Sequence, residues 1–70
     1  MKPRDRITGL LDHVGNNWIS SAKIAQICGL GSWRFYPAIV RLENDGLVES
    51  KWELDHDFYP RRRLYRIKQD

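Results

Sequence analysis

The chain has a single cysteine, Cys28, in 70 residues. It cannot close an internal disulfide and has no partner at metal-ligand spacing, which points to a reducing cytoplasm. The two histidines, His13 and His56, are equally isolated, so no metal site is expected. The N-terminal MKPRDRITGLLDHVG contains basic residues but no apolar run of signal-peptide or membrane-spanning length, so no membrane partner is expected. Glycine-rich phosphate loops and nucleophile motifs are missing as well. Asp55-His56-Asp57 gathers titratable groups, but in a polar turn too exposed for acid-base work. A non-enzyme with no small-molecule cofactor is expected.

What is present is charge, and it is segregated. Twelve Lys and Arg against nine Asp and Glu leave a formal +3 and a pI near 9.4. Six acids lie between Glu43 and Asp57, and five bases follow between Arg61 and Lys68. A basic surface turned toward an anionic partner, most commonly nucleic acid, is the usual use of such a pattern. A hydrophobic content of 41% with eight aromatics argues for a folded chain, and 70 residues suffice for one small domain with a modest core.

Ile7, Leu10, Leu11 and Val14 recur at helical spacing, which predicts a first helix over residues 4–14, with Pro3 at its start and Gly15 at its end. Trp18-Ile19 is an apolar pair suited to one or two residues of strand, with Trp18 in the core. A second helix over 21–28 is capped by Ser20 or Ser21 and buries Ile24, Ile27 and Cys28. Gly29-Leu30-Gly31 stops it, the glycines at positive φ and the leucine plugging the angle to the next helix. A third helix over 32–45, capped by Ser32, turns Phe35, Ala38, Ile39 and Leu42 inward and Trp33, Arg34, Pro37, Arg41 and Asn44 outward. Pro37 crowds the carbonyl four residues back, so the first turn should be irregular or begin later. Gly46 ends the helix, with Leu47 packing back on Leu42.

From residue 47 to 68 the period changes to two: Val48, Ser50, Trp52 and Leu54 share one side, and Arg63, Tyr65 and Ile67 share a side of the returning strand. The fold class is α+β, mainly α with a small β-hairpin. Three helices, a short first strand and a two-stranded ribbon, in this order, make a winged helix-turn-helix over residues 1–70, with the hairpin at 47–68 as the wing.

FYPAIVRLENDGLVES, followed by KWE and RRRLYRI, resembles the PadR-type winged-helix transcriptional regulators over roughly residues 20–68, most sharply from Tyr36 to Val48. The resemblance implies a recognition helix with a proline near its start, hence the role of Pro37. Trp33 departs from it, standing where the family often has a small residue. The C-terminal helical region through which these regulators dimerise has no counterpart before Asp70.

A recognition helix delivers side chains to base edges while phosphates are held around it. Ser32, Trp33, Arg34, Pro37 and Arg41 are the candidates on the third helix, with Arg34 placed for a bidentate contact to guanine; the alternative for either arginine is a merely solvated side chain. Ser20, Ser21 and Lys23 are candidates for phosphate contact, with helix capping as the serines' alternative. Arg61, Arg62 and Arg63 alternate faces on a strand, and phosphate contact is expected ahead of ion pairing with Glu49 or Glu53.

The expected function is sequence-specific binding of double-stranded DNA by a small cytoplasmic, nucleoid-associated transcriptional regulator, as a homodimer or a cooperative assembly on repeated half-sites. The alternative is a winged-helix protein-interaction module, with Trp33, Phe58 and Tyr59 as its docking surface. RNA is the weaker partner, because a helix does not fit its deep, narrow major groove.

Overall fold

A computed structural model describes residues 1–53 and 62–69. Their order is α1 (Pro3–Val14), β1 (Ile19–Ser20), α2 (Ser21–Cys28), α3 (Ser32–Asn44), β2 (Val48–Trp52) and β3 (Arg63–Ile67). The three helices and one antiparallel sheet, ordered β1-β3-β2, make a small compact α+β domain. None of the described helices is long and apolar enough to cross a membrane.

α1 starts with Pro3, whose missing amide costs nothing in a first turn. Asp5 near its start and His13 near its end suit the helix dipole. Ile7 and Leu11 are fully buried, and α1 packs on α2, α3 and β3. It is the element around which the other helices and the sheet assemble.

Ser20 caps α2, its Oγ accepting from the Lys23 N–H at 3.2 Å. Gly29 then turns left-handed at φ 67°, so that its amide reaches the Gln26 carbonyl and the Leu30 amide reaches that of Ala25. This drops Leu30 into the core, 7% exposed. Two expectations change nearby. Ile27 faces solvent at 53% exposure, because the inward positions of this two-turn helix are taken by Ile24 and partly by Ala25 and Cys28. Gly31 does not need positive φ: it sits at φ −72°, ψ 162° as the cap residue of α3, and Ser32 is already helical.

α3 runs unbroken through Pro37 from Ser32, with the Arg34 and Phe35 amides bonded to the Gly31 carbonyl at 3.0 and 2.9 Å. The expected late start is therefore not found. The proline removes a donor to the Trp33 carbonyl, but on an exposed face where water can take its place. Phe35, Ile39 and Leu42 are buried and Ala38 packs at their edge. At the far end Gly46, at φ 77°, donates to Glu43, and the Leu47 amide donates to the Leu42 carbonyl at 3.0 Å. Leu47 is held there by its backbone, while its side chain stays 44% exposed.

β2 and β3 pair Val48 with Ile67, Ser50 with Tyr65 and Trp52 with Arg63 on one face, and Glu49 with Arg66 and Lys51 with Leu64 on the other. β1 adds Ile19 opposite Tyr65. Val48 and Tyr65 complete the core, where Tyr65 meets Phe35 edge-on at 6.3 Å. Trp18, expected in the core, is half-buried outside it. Its ring centre is 4.3 Å from Arg66 Cζ and 4.6 Å from Lys51 Nζ, because one residue before Ile19 the strand faces outward. The expected tip, including Leu54, Phe58, Tyr59 and the Asp55-His56-Asp57 cluster, lies outside the described residues.

Candidate nucleic-acid interface

The candidate interface lies on the outer face of α3. With Phe35, Ile39 and Leu42 fixed inward, the 3.6-residue period sends Trp33, Arg34, Pro37, Val40, Arg41 and Asn44 outward, all exposed and none of them acidic. Trp33 is 78% exposed, with Tyr36 and Val40 each at 51%. The Trp33 indole folds back on the turn: a Cβ at Gly31 would stand 3.2 Å from its Nε1. The Arg34 guanidinium lies 5.5 Å from the same ring, which keeps one cation and one large π surface together at the first turn of α3.

The acid of α3, Glu43, points elsewhere. Its Oε2 accepts from Ser50 Oγ at 2.9 Å, Ser50 Oγ accepts from Arg63 Nη2 at 2.7 Å, and Arg63 lies 3.8 Å from Glu43 and 5.0 Å from the centre of the Trp52 ring. Arg63 thus bolts the ribbon to α3. Beneath this network the Tyr65 hydroxyl is pushed above its usual range, first by burial and then by the Glu43 carboxylate, with Arg63 working against both.

The sequence-derived candidates fall into three groups. Ser32, Trp33, Arg34, Pro37 and Arg41 come together on the exposed face of α3. At the start of α2, Ser20 is engaged as the cap, Ser21 is half-buried and Lys23 is exposed. In the basic run, Arg62 pairs with Glu53 across the ribbon at 2.9 Å, Arg63 is engaged as described, and Arg61 lies outside the described residues. Pairing accordingly occupies two of the arginines for which phosphate was expected, because antiparallel register sets Arg62 beside Glu53, just past β2, and Arg63 beside Ser50 of β2 and Glu43 of α3. Arg66 is engaged in the same way with Glu49.

Two residues escaped the sequence reading. Lys2 and Arg4, at the start of α1, form one wall of a groove of about 480 Å³ whose other wall is Arg34, Pro37, Ala38 and Arg41 of α3. Nothing in the local sequence pairs position 2 with position 41; only the packing of α1 on α3 does. Cys28 at the end of α2, half-buried against α1, donates to the Arg6 carbonyl at 3.6 Å, and burial raises its thiol pKa despite the opposing Arg6 charge.

No protein-family model matches the chain, and no curated protein matches it in sequence.

Proposed function

We propose that this chain is a winged-helix DNA-binding protein, similar in kind to the PadR-type regulators, that lays α3 in the major groove of duplex DNA and sets the β2–β3 ribbon beside the flanking backbone as its wing. The observation that carries this reading is the outer face of α3: exposed, free of acids, and presenting Arg34, beside the Trp33 ring, and Arg41. A helix reading base edges needs this arrangement, whereas a solvated helix would normally mix both signs of charge. Arg34 near the N-terminal end of α3 is the base-reading candidate, and Lys23 with the α2 start serves the backbone. With one small basic domain per copy, tight occupancy needs repeated half-sites filled by a dimer or cooperatively.

The reading is tested by fluorescence anisotropy on duplex DNA at near-physiological salt. Arg34→Ala should lose about 1–3 kcal/mol of discrimination between cognate and scrambled duplexes. Equal discrimination by Arg34→Ala and the wild type would contradict its assigned role.

A second reading has its own observation. Trp33, Tyr36 and Val40 leave an apolar stripe along α3, which suits a protein partner as well as thymine methyl groups. An interaction module would bind its partner with little salt dependence; DNA binding weakens steeply as salt rises.

A further inference from the structure

We infer that the groove between the start of α1 and the basic flank of α3 seats backbone phosphates of the duplex, making Lys2 and Arg4 two phosphate contacts to DNA on the side of α3 away from the ribbon. The inference rests on the DNA-binding reading and extends it to residues outside the helix-turn-helix. Four cations, Lys2, Arg4, Arg34 and Arg41, line the groove, and among the described residues no acid does. Pro3, Pro37 and Ala38 complete its lining, short side chains that leave the space between the long basic ones open.

Charge and continuity both favour a phosphodiester. Two of the four cations, Arg34 and Arg41, belong to the face proposed to enter the major groove, so a strand bordering that groove passes the α1 side of the same helix. Among the described residues the groove cations have one ion pair, Arg4 Nη2 to Asp45 Oδ2 at 3.3 Å, with the two side chains 41% and 42% exposed. That pair is weak enough to exchange. It holds Arg4 at the groove until a stronger, bidentate acceptor such as phosphate takes the guanidinium. Without an anion the four like charges repel one another, and a bound phosphate relieves this repulsion.

The test is the slope of log Kobs against log salt on a duplex that the wild type binds. Lys2→Gln/Arg4→Gln should flatten the slope by about 2, one for each phosphate-contacting cation, and weaken binding evenly across sequences. Lys2→Gln alone, which breaks none of the described ion pairs, should flatten it by about 1. The control Arg6→Gln, which removes an exposed cation of α1 outside the groove lining, should leave the slope nearly unchanged. Asp45→Asn should tighten binding severalfold, and Asp12→Asn, which removes an acid from α1 outside the groove lining, should not. A double variant whose slope matches that of the control overturns the groove contact while the DNA reading stands. A wild type with no affinity for any duplex overturns both.

Discussion

Arg63→Gln separates a structural arginine from a phosphate-binding one. The bond from Arg63 Nη2 to Ser50 Oγ at 2.7 Å is charge-assisted, a class worth about 1.5–3 kcal/mol where water is excluded. The Glu43 pair at 3.8 Å joins side chains 35% and 29% exposed, so solvent screening holds it to at most about 1 kcal/mol. Stacking at 5.0 Å over Trp52, a ring 49% exposed, adds about 0.5–1 kcal/mol. These terms overlap, because Ser50 keeps Glu43 as its acceptor and glutamine retains part of the stem packing. The net cost expected is therefore about 1–2 kcal/mol. For a domain of this size each kcal/mol moves Tm by about 4–8 °C, so thermal unfolding followed by circular dichroism should shift down by about 5–15 °C. Arg4→Gln, which breaks a pair of 3.3 Å exposed on both sides, should cost less than about 0.5 kcal/mol. Equal losses for the two variants would refute the ranking. An unchanged Tm in Arg63→Gln combined with collapsed duplex affinity would return Arg63 to the DNA backbone.

Other consequences can be checked on the same apparatus. Gly46→Ala should cost about 1–2 kcal/mol: the left-handed φ of 77° penalises any Cβ, although the space around it is open. Gly9→Ala, mid-helix and equally open, should instead gain up to about 1 kcal/mol. Ile39→Ala, at a fully buried position, should cost about 2–5 kcal/mol and bring a chain this small close to unfolding, read as a collapse of the urea midpoint. The raised Tyr65 pKa means that the folded state keeps its proton after the unfolded chain has begun to lose it. The associated stability is present below the ordinary value of 10.0 and is lost as pH climbs above it. Denaturant midpoints measured from pH 9 to 11 should fall, and Tyr65→Phe should remove that share of the fall.

The helices were legible because their signals are local. Apolar spacing placed α1, α2 and the inward face of α3, and Gly29 and Gly46 marked ends that only left-handed residues could make. Errors arose where two local rules competed. Gly31 and Ser32 could both cap α3, and the glycine took the position in which the Trp33 indole folds back over it. Ile27 has a core side chain on a helix too short to bury it, and Trp18 sits one residue outside the inward register of β1. Burial is decided by neighbours that a periodicity count does not contain. The same holds for the candidate site. The outward face of α3 follows from its period alone, whereas the engagement of Arg62 and Arg63 required the cross-strand register, and the Lys2–Arg4 wall required the packing of α1 against α3. Contacts across long sequence separations are where charge patterning misled, because a dense basic run reads alike whether its arginines face water, DNA or acids on the next strand.

Selection from a random duplex library, with purified protein at near-physiological salt, tests the central claim most directly. The account predicts one enriched motif, recurring at a spacing of about 10–10.5 base pairs where copies bind side by side on one face of the duplex, with enrichment lost in Arg34→Ala. Recovery of duplexes without any shared motif, or of none at all, would contradict α3 as a reader of base sequence.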